Sequence, residues 1–199
     1  MQEKNTKNQR EKQAYNTRKR VISTMMQLMT HKDFENLSIR DICRESGIST
    51  GTFYYHFGSK ENLLQKMYKD YCLEFEESVM EKLEGLDHVE KIVMYCIYHT
   101  KNISNLSWEF KKRIYSIENG FLSNSEHRID SYMYKTFEDG LQKGIFKKDK
   151  TAYEVTDNIL RIDYGIAAYC CINNDYNSEK VTRELIGGYL NSLLESARK

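Results

Sequence analysis

The chain has 199 residues, of which 40% are hydrophobic and 30% charged, and its formal net charge is +1. This composition suits a globular protein, and the absence of proline favours long uninterrupted helices. There is no apolar run of the kind that forms a signal peptide or spans a membrane, so we expect a cytoplasmic protein without a membrane partner.

The five cysteines form no CxxC pair and are expected to be reduced, mostly buried thiols. Cys170 and Cys171 are adjacent, which leaves open a role in sensing oxidants or soft metals. Adjacent residues on a helix point in different directions, and this favours the inert alternative. The sequence predicts no metal site and no cofactor.

The excess of basic residues lies in residues 1–20, "MQEKNTKNQREKQAYNTRKR". We predict that residues 1–16 form a basic flexible arm. An arm of this kind often contacts a polyanion, but a solvated tail without a partner explains the composition equally well.

Residues 17–58 have the pattern of a three-helix DNA-binding domain. Apolar residues recur at helical spacing over 17–32. Ser38 and Asp41 then have the spacing of a capping box, and Gly47 is suited to end a short second helix. Ser49 can cap a third helix. Two short helices joined by a tight glycine turn predict a helix-turn-helix unit, with the first helix behind it.

Residues 59–199 are predicted to form a second, helical domain for ligand binding and dimerisation. Helical patterns cover 59–84, 87–101, 105–117, 125–143, 150–172 and 178–198, and no strand-like alternation persists. The sequence therefore predicts an all-α protein.

The last two helices carry an apolar stripe that is wider than one neighbouring helix needs. A self-complementary interface in a two-fold homodimer would use this excess, whereas a deeply buried core helix is the alternative. The predicted interface residues are Ile159, Ile162, Ile166, Leu185, Ile186, Tyr189, Leu190 and Leu193.

The third helix is the candidate reading helix. Phe53 and Phe57 are four residues apart and, with Ile48, should hold it against the earlier helices. The other positions can contact base edges or phosphates. Tyr54 or Tyr55 could instead belong to the core, and His56 could simply be solvated. The predicted DNA-binding residues are Ser38, Arg40, Ser49, Thr50, Gly51, Thr52, Tyr54, Tyr55, His56 and Lys60.

The stretch "FENLSIRDICRESGISTGTFYYHFGSKENLLQKMY" resembles the N-terminal domain of the TetR (tetracycline-repressor-like) family of bacterial transcription regulators. The resemblance runs from about Arg18 to Tyr68, and "GISTGTFYYHFGSKENL" is its most specific part. It implies a homodimer that binds a palindromic double-stranded DNA operator, most often as a repressor, and that a small-molecule effector releases. Thr50 departs from the family pattern, where lysine is common, and so does Asp33, where a glycine often ends the first helix.

The resemblance also implies an effector pocket among the helices of about 60–145. An aromatic and acidic lining would suit a cationic aromatic ligand, although aromatic residues are common in ordinary cores. The candidate ligand-binding residues are Tyr95, Tyr98, His99, Trp108, Phe110, Tyr115 and Glu118.

Two other functions compete with this hypothesis. An enzyme is disfavoured because the sequence has no HExxH, P-loop, GxSxG or dinucleotide motif. The alternative that stays open is a TetR-like interaction or adaptor protein that has lost DNA binding, although Arg40, Lys60 and the segment from Thr52 to His56 argue against it.

Overall fold

The computed structural model describes residues 2–114, 132–173 and 176–195, and these are predominantly helical. The helices are α1 (Gln2–Leu28), α2 (Ile39–Ser46), α3 (Thr50–Phe57), α4 (Lys60–Leu83), α5 (His88–Ser104), α6 (Trp108–Ile114), α7 (Tyr132–Gln142), α8 (Ala152–Ile172), α9 (Ser178–Thr182) and α10 (Gly188–Ser192). A 3-10 turn, Phe34–Asn36, precedes α2, and a π-helical turn, Arg183–Gly187, joins α9 to α10. The predicted all-α class is confirmed.

The chain divides into two compact units. The first consists of Met1–Tyr71 with Ser107–Asn119, and the second of Cys72–Leu106 with Gly120–Lys199. The first unit is larger than the predicted domain of residues 17–58, because it takes in the start of α4 and the short helix α6.

Helix α1 differs from the prediction at its start. It begins at Gln2, so the segment predicted as a flexible arm is described as helix. This segment contains neither glycine nor proline and is rich in Glu, Lys, Gln and Arg, which extend a helix easily once a later turn is packed. The packed part is the face with Val21, Met25 and Met29, whose side chains are buried.

Local hydrogen bonds define the two short helices. Ser38 Oγ accepts the Asp41 amide, and the Asp41 carboxylate accepts the Ser38 amide, which completes the predicted capping box. Gly47 ends α2 with φ of 65°, a conformation that glycine adopts with little strain. Ser49 Oγ then accepts the Thr52 amide at the start of α3.

The core of the first unit holds α3 in place. Phe53 and Phe57 are buried with their ring centroids 5.3 Å apart, and Ile42 and Cys43 of α2 are buried as well. Burial raises the pKa of the Cys43 thiol, which keeps it in the unreactive protonated form.

The second unit has its own core between α5, α7, α8 and the C-terminal helix (178–192), which comprises α9, the π-helical turn and α10. Its buried side chains include Ile92, Val93, Cys96, Ile97, Phe137, Phe146, Val155, Ile159, Ile186 and Leu190.

The segment that follows α7 packs against the end of the chain. Lys147 N donates to Leu193 O at 2.8 Å, and Glu195 N donates to Ile145 O at 2.9 Å. A Cβ atom on Gly140 would lie 2.5 Å from Cε2 of Phe146, so this position must be glycine if Phe146 is to fill the core. Phe146 and Leu194 thus form an isolated antiparallel β-bridge, and the described residues contain no strand that extends it.

Candidate nucleic-acid interface

Helix α3 has one buried and one exposed face. Tyr55 is 84% exposed and Tyr54 is 54% exposed, whereas Phe53 and Phe57 are buried. Neither tyrosine belongs to the core, so both hydroxyls are available to an external partner. The rings of Phe53 and Tyr54 pack edge to face with their centroids 5.8 Å apart, which limits the orientations that the Tyr54 side chain can adopt.

The start of α3 is polar and partly occupied by its own cap. Ser49 Oγ and Thr52 Oγ1 lie 2.8 Å apart, so these two predicted DNA-binding hydroxyls bond to each other. Thr50 and Gly51 are exposed. A Cβ on Gly51 would meet only Ser49 Oγ, at 3.8 Å, so the protein's own packing leaves room for a side chain there.

The predicted residues on α2 fall into two groups. Ser38 is occupied by the capping box, where its Oγ also lies 2.8 Å from Asp41 Oδ2. Arg40 is exposed, and among the described residues no carboxylate is paired with it. Arg40 can therefore reach an external anion without breaking an internal ion pair.

His56 lies at the end of α3, beside the basic segment of α1. Its side chain is half-buried, and its pKa is lowered by desolvation and by the positive charge of Arg18. Arg18 was not among the predicted DNA-binding residues. The "RKR" run at 18–20 was the available signal, but helical spacing alone does not show which of these residues approaches α3.

Lys60 has a different environment from the one predicted. Its Nζ donates to Phe34 O at 2.7 Å and to Leu37 O at 2.9 Å, and it lies 4.2 Å from the centre of the Phe34 ring. Desolvation lowers its pKa. Two of its three N–H donors therefore stabilise the turn before α2, and at most one remains for a phosphate.

Helix α6 binds the same turn from its other end. Phe34 N donates to Glu109 Oε1 at 3.1 Å, and Arg113 Nε donates to that carboxylate at 3.3 Å. Arg113 is also paired with Glu35 and lies 4.9 Å from the centre of the Phe34 ring. Glu109 and Arg113 are both buried, and the sequence analysis singled out neither.

The predicted ligand-binding residues divide between the two units. Tyr95 and His99 are buried in the second unit, and Tyr98 is half-buried there beneath Lys82 Nζ. Phe110 instead packs in the first unit, 6.3 Å from Tyr71, and Trp108 of the same helix is 60% exposed. Tyr115 and Glu118 lie outside the described residues.

The structure corrects part of the predicted dimer interface. Five of its residues are buried within the chain's own core, where they cannot form a surface for a second copy. They are Ile159, Ile166, Ile186, Leu190 and Leu193. Ile162 and Tyr189 are half-buried, and Leu185 is 51% exposed. The apolar stripe was wide because most of it faces the chain's own helices.

Metal-ligand clusters and membrane-spanning helices are both absent from the described residues. These residues contain no cluster of three or more His, Cys, Asp or Glu side chains that could hold a metal ion. No helix among them is both long and apolar enough to cross a membrane.

The sequence is similar to known proteins. Residues 21–67 match the family described as bacterial regulatory proteins, tetR family. The HTH-type transcriptional regulator UidR of Escherichia coli (strain K12) is 26% identical over 203 residues, which cover 89% of this chain and 95% of UidR.

Solved structures agree on the fold. RolR in complex with resorcinol has a TM-score of 0.71 at 18% identity, covering 94% of this chain and 91% of RolR. FadR of Thermus thermophilus in complex with lauroyl-CoA, a TetR-family transcriptional repressor, has a TM-score of 0.70 at 14% identity, covering 92% and 98%. The resemblance found in the sequence is confirmed: residues 21–67 match the tetR family of bacterial regulatory proteins, and most of the chain is similar to a transcriptional regulator.

Proposed function

We propose that this regulator is a repressor that binds a palindromic DNA operator as a homodimer and dissociates when a small molecule binds its second unit. The exposed face of α3 is the observation that carries the proposal. It presents Tyr54 and Tyr55 beside the exposed Thr50 and Gly51, on a helix that Phe53 and Phe57 hold firmly from behind. In a helix-turn-helix protein the second helix of the motif enters the major groove.

The contacts divide by chemistry. The Tyr54 and Tyr55 hydroxyls and the exposed Lys19, Arg20 and Arg40 suit phosphate oxygens. The Thr50 hydroxyl and methyl suit base edges, and the absence of a side chain at Gly51 permits close approach of the backbone. These residues are proposed to bind DNA, whereas Ser38, Ser49 and Thr52 chiefly hold the helix ends.

A homodimer would place two such helices on successive major grooves, about 34 Å apart. Exposed apolar side chains on α8 and the C-terminal helix support this part of the proposal. Ile172 is 71% exposed, Leu185 51% and Tyr169 48%, and Ile162 and Tyr189 are partly exposed. An interface between two copies would remove these apolar side chains from water, which is favourable.

Regulation would follow from a shift between two conformations. Helix α4 continues without a break from the first unit into the second, so a ligand that favours one position of α4 would change operator affinity. The ligand can shift this equilibrium only by its difference in affinity for the two states. RolR and FadR were solved with small molecules bound, which supports regulation by a small molecule here as well.

Selection of bound fragments from random DNA tests the DNA-binding function. We expect a palindromic sequence, which should then bind in a gel-shift assay with an affinity that falls as salt rises. Replacing Tyr55 by alanine should weaken binding, and Tyr55→Phe should reproduce most of the loss if the hydroxyl is the phosphate contact. Lys148→Ala, an exposed change in the second unit, serves as the control. Failure to enrich any sequence would favour the adaptor function instead.

A further inference from the structure

The second unit contains a buried pair of polar side chains that the proposed DNA interface does not use. His99 Nδ1 of α5 lies 2.5 Å from Asp163 Oδ2 of α8, and Thr100 Oγ1 donates to Asp163 Oδ1 at 3.4 Å. Asp163 is 1% exposed and His99 7%. Taking a carboxylate out of water is strongly unfavourable, so Asp163 needs these hydrogen bonds. The bond from Nδ1 also fixes the orientation of the imidazole ring.

The second ring nitrogen of His99, Nε2, is not used by the pair with Asp163. Nδ1 of His99 bonds to Asp163, whereas Nε2 has no hydrogen-bond partner among the described residues. Nε2 is not among the fully buried side-chain atoms that lack a partner in the described part of the chain, so solvent reaches it. A solvent-accessible nitrogen on a ring whose orientation is fixed is therefore suited to binding a ligand.

Aromatic rings and a second carboxylate surround this position. The Phe75 ring lies 5.5 Å from the His99 ring and the Tyr164 ring 6.0 Å, both edge to face. One helical turn before His99, the Tyr95 hydroxyl donates to Glu76 Oε1 at 3.1 Å. Within the described part of the chain, Asp163 pairs with His99, and Glu76 accepts from the Tyr95 hydroxyl and the Tyr132 amide; neither carboxylate pairs with a lysine or arginine.

These surroundings limit the chemistry of a ligand. Because neither carboxylate has a lysine or arginine partner, this position disfavours an anion. With Nδ1 committed to Asp163, Nε2 accepts a hydrogen bond when the ring is neutral and donates one when it is protonated. A hydroxyl group can meet either requirement, because it both donates and accepts. The neighbouring rings suit an aromatic body.

We propose that His99 Nε2, oriented by Asp163 and Thr100, binds the hydroxyl group of an uncharged aromatic effector. The inference rests on the proposed ligand-responsive function, and it names the class of ligand and the atom that recognises it. Asp163 acts as a positioning residue. The cationic aromatic ligand considered from the sequence becomes an outcome of the test.

Nitrogen NMR of histidine side chains gives a direct readout, with phenol and anisole as a matched pair of probes that differ only by methylation of the hydroxyl. Addition of phenol should shift the Nε2 resonance of His99 by several parts per million and saturate, whereas anisole should leave it unchanged. Equal shifts with both probes, no shift with phenol, or a shift with benzylammonium alone would overturn the proposal. If phenol causes no shift, the pair of His99 and Asp163 has a structural role only.

Variants identify the residue and separate binding from folding. His99→Phe alone would leave Asp163 buried without its partner, so the informative variant is His99→Phe combined with Asp163→Leu, which removes both members. It should bind phenol at least ~10-fold more weakly, since one hydrogen bond to a charged or polarised partner is lost. The matched control is His88→Phe with Asp139→Leu, a second His–Asp pair with Nε2 and Oδ2 2.7 Å apart, and it should bind phenol normally. Equal phenol affinity in both double variants would refute a role for His99.

Selection of an operator with the unliganded protein keeps this inference distinct from the proposed function. If a palindromic operator is found but phenol does not bind, only the ligand class and the role of His99 are wrong. If no DNA is selected but phenol binds at His99, the regulatory proposal fails while the site stands.

Discussion

Asp41 shows how a single residue defines the start of a helix. Its carboxylate accepts hydrogen bonds from the Ser38 hydroxyl and amide and from Lys32 Nζ. These bonds, led by the Ser38 hydroxyl, lower its pKa from 3.8 to about 2. A carboxylate with a lowered pKa stabilises the fold at pH values above its unfolded pKa, and that contribution is lost as the pH falls through the folded value.

The capping box should therefore have a defined pH dependence. We expect Asp41→Asn to lower the melting temperature at pH 7, because the amide is a weaker acceptor. The difference from the wild type should shrink as the pH falls from about 4 to about 2, since wild-type Asp41 then becomes protonated. Thermal unfolding followed by circular dichroism across this range tests the prediction. Asp149→Asn, an exposed change outside any helix, should show no such trend.

Lys60 illustrates the difference between a predicted contact and an observed one. Since its ammonium group bonds to the carbonyls of Phe34 and Leu37, replacement by methionine should destabilise the first unit by roughly 1–3 kcal/mol. Urea unfolding measures this change, with Lys69→Met, on the exposed side of α4, as the control. If Lys60→Met unfolds like the wild type but loses DNA affinity, the main role of Lys60 is to bind a DNA phosphate.

At the scale of elements, α6 is joined to the turn before α2 by charged groups. Glu109 accepts both the Phe34 amide and Arg113, so Glu109→Ala leaves a buried N–H without an acceptor. We expect a loss of roughly 1–3 kcal/mol in unfolding free energy, largely restored in Glu109→Gln, whose amide oxygen can still accept from Phe34 N. Trp108, the single tryptophan, lies next to Glu109 and reports unfolding by fluorescence. Identical unfolding of Glu109→Ala and Glu109→Gln would contradict the role of the Phe34 bond.

At the scale of the whole molecule, the homodimer proposal makes its own prediction. Leu185→Glu should give a monomer by multi-angle light scattering and should weaken binding to a palindromic site, because a charge would be buried at the interface. Leu73 of α4 is equally exposed at 51%, so Leu73→Glu is a matched control that should remain dimeric. If the Leu185→Glu protein stays dimeric, Leu185 does not lie in the dimer interface.

Much of the first unit could be predicted from the sequence because its determinants are local. Ser38 with Asp41, Gly47 and Ser49 lie within a few residues of the backbone groups that they cap or end. The four-residue spacing of Phe53 and Phe57 already assigns the buried face of α3. The residues that this face leaves outside, Tyr54 and Tyr55, were likewise predictable, and the structure excludes the alternative that one of them is in the core.

Contacts between distant residues required the tertiary structure. A lysine at position 60 has no local signal that points to the carbonyls of Phe34 and Leu37, and nothing near Phe34 indicates Glu109, 75 residues later. Periodicity showed that α8 and the C-terminal helix have apolar faces, but it could not show that Ile159 and Leu190 pack inside the chain while Leu185 stays exposed. The pairing of His99 with Asp163 was hidden for the same reason. Spacing along a helix determines which residues share a face, whereas the partner that this face meets depends on how distant segments pack.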